Sequence, residues 1–409
     1  MTLLTHAELT ERVARASTAL GSAAGPALRG RIVPVNTADP TDAIATVLAL
    51  RTVGALPLAT DDRWSAGQHD AVRRLAEAGA HPGQAWATLT SGSTGAPRVV
   101  LRTDESWTAS HAPVAELLGL TPDDALFLPA PAASSLTLFS LAHAFAAGAS
   151  LVLPRGHTVV ADDLADATLV HGTPRSLRSI VDAIESGAPH RMRAALVGGA
   201  HLDAGLRSRA EGLGLRVIAY YGAAELSFVA VDVDGRGLRA FPGVLLETRG
   251  NELWVRSPFV ASCYADGTGP LRRDGSGWAT VGDRALLRDD RLELRGRGDD
   301  AILTAAATVV PEDVETALRA IDGVADAVVF GLPHPGIGAL VAAVVEPDGT
   351  HPLPAAAVLR ARAAETLLPA QLPRRWFAVD ALPRTVSGKP ARAEIVRRAL
   401  AGEVSRHDR

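Results

Sequence analysis

The stretch ATLTSGSTGAPRVV, residues 87–100, decides how this chain reads. Its centre, Thr90, Ser91, Gly92, Ser93, Thr94 and Gly95, is an unbroken run of small or hydroxylated residues. It lies between two apolar runs, 86–89 and 98–101, that read as strands. A loop of this kind has little side chain of its own. What it offers is a row of backbone N–H groups and several hydroxyls, with glycines that let the main chain approach a ligand closely, and that surface suits phosphate oxygens. Arg98, just past Pro97, adds a planar cationic fork for the same anion. The other reading is a flexible Gly/Ser linker, but linkers are seldom bounded so tightly by β-branched apolar residues. A Walker loop is not spelled here, because that pattern needs a lysine which this stretch lacks.

The whole chain sets the bounds. At 409 residues and 47% hydrophobic content it should form two or three domains with full cores. A net charge of −4 gives no electrostatic case for nucleic acid or an anionic membrane as the main partner. The single Cys263 excludes an internal disulfide and a cysteine-built zinc site, which predicts a reducing, cytoplasmic setting. The opening residues MTLLTHAELTERV show no basic segment followed by an apolar one, so no signal peptide is expected. Residues 135–153 carry no formal charge and nearly suffice to cross a membrane, yet Gly148 divides them into a buried helix and a strand, so no span is expected. Of the 41 Lys plus Arg, Lys389 is the one lysine. A chain that uses arginine everywhere else implies for that ammonium a task a guanidinium does not perform.

Along the chain, Thr5 and Glu8 form a capping box ahead of Leu9, Val13, Ala16 and Leu20 at helical spacing. Strand 32–35, helix 41–52 and strand 55–59 predict parallel pairing with helices on the sheet faces. Helices 64–78 and 106–118 follow, and then strands 125–128, 168–171, 194–197 and 215–220 alternate with helices 175–186 and 204–213. Gly198, Gly199 and Ala200, and then Tyr221, Gly222, Ala223, Ala224 and Glu225, are expected in loops at the carboxyl ends of strands, where open α/β sheets bind ligands. Short strands at 229–233, 245–249, 252–255 and 291–294 predict a small β unit. A polar hinge at 295–300 precedes a helix opened by Pro311 with Glu312 and Asp313 in its first turn. Strands 327–330, 340–346 and 376–379 with helix 355–367 complete a separate α+β lid. The predicted fold class is therefore α/β: a large domain, 1–298, of parallel-sheet subdomains plus the small β unit, and a mobile lid domain, 299–409.

Four stretches in this order, TSGSTGAPR (90–98), YGAAE (221–225), GWATVGD (277–283) with GRGDD (296–300), and LPRTVSGKPAR (382–392), resemble the adenylate-forming superfamily of acyl-CoA synthetases, peptide-synthetase adenylation domains and luciferases. The short segment between Ala59 and Thr88 resembles its compact o-succinylbenzoate-CoA ligase-like members. The resemblance implies that a carboxylate is joined to the α-phosphorus of ATP with loss of pyrophosphate, and that the acyl group then passes to a thiol, CoA first among the candidates. It implies that residues 90–95 and Arg98 hold the β- and γ-phosphates, and that Glu225 binds Mg²⁺, a hard cation suited to oxygen ligands. Tyr221 would face adenine in a slot lined by Gly198, Gly199 and Ala200, with Gly222, Ala223 and Ala224 completing the ATP site. Asp283 would take the ribose hydroxyls with Arg297 beside it. Lys389 would bring its charge to the reacting carboxylate and α-phosphate, with Glu225 and Arg297 as the other catalytic residues. Asp299 is the expected hinge.

The acyl pocket is expected at Ser134, Ser135, His171, Gly172 and Phe228, although a lone His on an apolar strand is more often simply packed and hydrogen-bonded. The sequence also departs from the family pattern. Leu303 and Ala306 stand where many relatives have Lys and Gly, Ala224 replaces a hydroxyl residue, and Arg98 and Val99 replace Lys and Gly. These leave open a second reading, adenylation with another acceptor: a carrier-protein thiol, an amine, or nitrite in diazotisation. A catalytically silent nucleotide-binding regulator is a third. The expected partner is a small carboxylic acid, and a homodimer is left open.

Overall fold

The computed structural model describes residues 2–36, 39–61, 64, 66–77, 82–91, 97–154, 159, 161–200, 202–297, 302–303, 308–334, 338–385 and 389–407. Alternating strands and helices in the first two thirds of the chain build an eight-stranded sheet in the order Thr2–Leu4, Ser150–Leu153, Ala125–Phe127, Leu169–Gly172, Ala194–Val197, Arg216–Ala223, Ser227–Asp232 and Arg239–Ala240. The strands from Ser150–Leu153 to Arg216–Ala223 are parallel to their neighbours, while the outer pairings are antiparallel. Alternation along the strands fills both faces. Val170, Ala195, Val197 and Val217 pack beneath Leu177, Ile180, Val181 and Leu206, whereas Leu169, Leu196 and Ile218 meet Leu138 and Phe139 on the other side. The helices start and stop as their ends dictate. Thr173 and Ser176 form a capping box at Pro174–Glu185, and Gly148 closes Ser135–Ala147 with a left-handed φ of 76°. Among the described residues no helix is long and apolar enough to cross a membrane.

Several elements depart from expectation in instructive ways. Residues 106–118 form two short helices, Glu105–Thr108 and His111–Leu118, rather than one. Ile32–Val35 and Leu56–Ala59 are parallel as expected, but stand as a separate two-stranded sheet. Trp86–Ser91 and Pro97–Arg102 form an antiparallel hairpin, joined at its edge by Cys263–Tyr264. Tyr221, Gly222 and Ala223 are not loop residues. They finish the strand Arg216–Ala223, which folds back on Ser227–Asp232 with a bulge between Tyr221 and Gly222, so the predicted 229–233 strand belongs to the large sheet.

The small β unit holds Leu245–Arg249, Glu252–Arg256, Ala279–Thr280, Asp283–Arg288 and Arg291–Arg297. Beyond it, a four-stranded sheet of Val324–His334, Gly338–Pro347, Arg375–Ala378 and Ser405–Arg406 packs Pro311–Arg319 and Ala356–Ala363 on one face and Arg392–Leu400 on the other. Among the described residues, the apolar cores from Ile302 onward share no member with those that precede them. Gly92, Ser93, Thr94, Gly95, Asp299 and Ala306 lie outside the described residues.

Candidate active site

The hairpin brings the two ends of the anion loop together, with Thr90 opposite Arg98 and Ser91 opposite Pro97. Leu89, one residue before, bridges to Ser134, which places an expected acyl-pocket residue beside the strand that delivers the phosphate loop. Ser134 is buried and precedes the helix Ser135–Ala147, so Ser134 and Ser135 occupy that helix's entry.

Glu225 sits in the turn between Arg216–Ala223 and Ser227–Asp232, and its side chain is buried. Tyr264 donates its hydroxyl to Glu225 Oε1 at 2.8 Å and accepts from the Leu271 N–H at 3.2 Å. Burial, followed by the neighbouring Glu225 charge and the hydrogen bond to it, pushes the Tyr264 phenol pKa up, while the Arg98 charge works the other way. Arg98 is thus within electrostatic reach of Tyr264, whose hydroxyl is bonded to Glu225. Below them lies Arg102, fully buried, which donates to the carbonyls of Ala224 and Phe259. Burial pulls its pKa down to about 9, the Glu225 carboxylate holds it up, and Arg273 presses it down. Neither Arg102 nor Tyr264 was expected from the sequence.

The Tyr221 hydroxyl is hydrogen-bonded to Asp283. Asp283 pairs in register with Arg297 across the strands Asp283–Arg288 and Arg291–Arg297, so the backbone carries Arg297 beside Asp283. Gly198 is small for a reason that was not foreseen. A Cβ there would stand 2.2 Å from the ring of Tyr220, so the glycine admits this tyrosine ring rather than leaving the space open. Gly199, with φ +87°, continues the loop, and Ala200 is exposed. Lys389 reaches this same point from the lid. Its Cε lies 3.8 Å from where a Cβ on Gly199 would be, with Thr173 Cγ2 at 3.7 Å on that same position.

His171, at the end of a central strand, is buried and uses both ring nitrogens: one with the Ser140 hydroxyl, the other with the Tyr220 hydroxyl at 2.9 Å. Burial, reinforced by His143, pushes its pKa down to about 3, so the ring is a neutral strut between two hydroxyls. Phe228 lies 4.9 Å from Phe139 and 4.7 Å from Tyr220 between ring centroids, which walls this side with aromatic surface. Gly172 follows His171, and a Cβ there would meet Ser176 Oγ at 2.7 Å.

The AMP-binding enzyme family matches residues 79–265, and the AMP-binding enzyme C-terminal domain matches residues 313–389. The probable 2-succinylbenzoate–CoA ligase of Mycobacterium tuberculosis (strain CDC 1551 / Oshkosh) is 32% identical over 333 residues, covering 77% of this chain and 84% of that protein. Chalcone synthase cfoA of Aspergillus candidus is 28% identical over 345 residues, 76% of this chain but 12% of that far longer protein. The o-succinylbenzoate CoA synthetase (MenE) of Bacillus subtilis, solved with the acyl-adenylate OSB-AMP, shares the fold at a TM-score of 0.78 and 21% identity, covering 95% of this chain and 92% of that one. By these family matches and the 32% identity to a relative covered over 84% of its length, this chain belongs to the adenylate-forming superfamily of AMP-binding enzymes.

Proposed function

We propose that this adenylating enzyme activates a small or aromatic carboxylic acid with ATP and Mg²⁺, releasing pyrophosphate, and then transfers the acyl group to the thiol of coenzyme A. The observation that carries this reading is the position of Lys389. The chain's single lysine stands beside Gly199 and Thr173. There it would lie against the substrate carboxylate as one carboxylate oxygen attacks the α-phosphorus and the bond to pyrophosphate breaks. Charge builds on those oxygens during attack, so the ammonium stabilises the transition state more than bound ATP. Asp283 would hold the ribose and Tyr221 the base, while residues 90–95 and Arg98 would bind the β- and γ-phosphates. In the second step the thiol sulfur attacks the acyl carbonyl and AMP leaves.

The residues present fit a divalent cation. Glu225 is a buried carboxylate of which one oxygen accepts from Tyr264, and among the described residues the other carries no hydrogen-bond partner. Glu225 would hold Mg²⁺, which supplies charge neutralisation across the phosphates. The rings of Phe139, Phe228 and Tyr220 cluster around His171, which supports a compact acid. Division at residues 298/299, with the lid turning about Asp299, would let one site serve both steps.

Mass spectrometry of products from ATP, Mg²⁺ and a panel of carboxylic acids tests this, run with CoA, with nitrite and with neither. Acid-dependent AMP and pyrophosphate, with a thioester only when CoA is present, are expected, and Lys389→Ala should abolish pyrophosphate release while ATP still binds. Pyrophosphate release without any thioester would overturn the acceptor, and undiminished release by the variant would overturn the role of Lys389.

A further inference from the structure

Glu225 is gripped from below by a side chain that reaches no surface. Arg102 ends the strand Pro97–Arg102 with 0% of its area exposed. It closes a two-pronged clamp on one carbonyl, with Nε at 3.1 Å and Nη2 at 2.6 Å from the oxygen of Ala224. Its Nη1 donates to the Phe259 carbonyl at 2.6 Å and to Ser106 Oγ at 3.2 Å, and the Trp107 ring lies 5.6 Å away. A fork of this shape needs a planar guanidinium, and lysine cannot reproduce it. The residue after the clamped carbonyl is Glu225, whose own carbonyl accepts from the Ala261 N–H at 2.7 Å. The main chain on both sides of the Glu225 side chain is therefore fixed.

The carboxylate is aimed separately. Because the Tyr264 oxygen already accepts from the Leu271 N–H, its proton is directed to Glu225 Oε1. The Tyr264 ring is seated where Gly269 has no Cβ: one built there would stand 2.1 Å from the ring. Fixed in backbone and in side chain, Glu225 keeps its second oxygen without a hydrogen-bond partner among the described residues. We propose that Arg102 and Tyr264 are positioning residues that hold Glu225 so as to present this oxygen to the Mg²⁺ that accompanies ATP, an inference that rests on the metal role given to Glu225 above.

The test is calorimetric titration of ATP into the full chain without acid, with and without Mg²⁺, reading the factor by which the metal tightens ATP binding. Arg102→Lys keeps the charge and loses the fork, and Tyr264→Phe loses the aiming hydroxyl. Each should cut that factor about tenfold, the scale of a charge-assisted hydrogen bond, while metal-free ATP affinity stays within about twofold. In a Glu225→Gln background, adding Arg102→Lys should change the factor by less than about twofold, because a residue acting through Glu225 has nothing left to act on. A merely structural arginine would instead lower both affinities and do so in either background, and that result overturns the proposal. So does an unchanged metal factor in folded variants. Should Arg102→Lys fail to fold by circular dichroism, an unchanged factor in Tyr264→Phe refutes the positioning and a tenfold cut supports it. A wild-type chain that binds ATP equally well with and without Mg²⁺ removes the metal role of Glu225 itself, whatever the variants do.

Discussion

At the scale of single residues, the buried imidazoles couple stability to pH. His143 is 2% exposed, its Nε2 has no partner among the described residues, and burial pushes its pKa down to about 4, with the nearby His111 adding to the fall. Together with His171 at about 3, it refuses a proton in the folded state that the unfolded chain accepts near the ordinary value of 6.5. Above that value neither state is protonated and the full stability is present. As pH falls through 6.5 toward 4 the unfolded chain gains protons and stability is lost. The pair should lower stability by on the order of 3 kcal/mol between about pH 7 and pH 5, measured by urea unfolding, and His143→Phe should remove about half of the loss. An identical pH slope in the variant would place the acid sensitivity elsewhere. The candidate site residues divide by how local their signal is. Lys389, Asp283 and Tyr221 stand in short motifs, so the sequence could nominate them. It could not nominate Arg102, since an arginine closing an apolar strand reads as a solvent-facing end. What buries it lies 122 and 157 residues later in the chain, at Ala224 and Phe259.

At the scale of elements, the bulge in the hairpin of Arg216–Ala223 and Ser227–Asp232 sets the site. A Cβ on Gly222 would lie 2.1 Å from the Ser227 carbonyl oxygen, and backbone cannot step aside cheaply. Gly222→Ala should therefore cost at least ~2 kcal/mol and weaken ATP binding, because the same bulge orients Tyr221 and carries the Glu225 turn. Gly212→Ala is the control. It ends the helix Ala204–Gly212 with nothing within 4 Å of an added Cβ, so its effect should stay within ~1 kcal/mol. Equal losses in thermal unfolding of the two variants would refute the steric account. Helices such as His6–Leu28 were legible because caps and apolar spacing are local. The strand through Tyr221–Gly222–Ala223 was hidden, since Gly and small residues punctuate like a loop and only the pairing with Ser227–Asp232 keeps them extended. Two-residue strands such as Cys263–Tyr264 and Ala279–Thr280 have no pattern of their own and exist only because a partner strand is there.

At the scale of the whole molecule, Lys389 is mounted on the lid too firmly to move alone. The Thr385 N–H donates to the Lys389 carbonyl at 2.7 Å and the Ala391 N–H to the Pro383 carbonyl at 2.7 Å, pinching the loop at both levels. Arg384 ties one side to Asp326 at 3.0 Å and Glu346 at 2.6 Å, and Arg392 ties the other to Glu315 at 2.7 Å. These acids sit on Pro311–Arg319, Val324–His334 and Gly338–Pro347, so the loop is braced against most of the lid's framework. If the ammonium must leave Gly199 to admit a thiol, the lid has to turn as one body about the connection that contains Asp299. Proline there fixes φ and removes an N–H, and should hinder that turn without touching the arrangement in which Lys389 already meets Gly199. Asp299→Pro is accordingly expected to keep acid-dependent pyrophosphate exchange within about tenfold of wild type while thioester formation falls about a hundredfold or more. Parallel loss of both half-reactions in the same preparation would mean that one lid position serves the entire cycle, and the rotation would have to be given up.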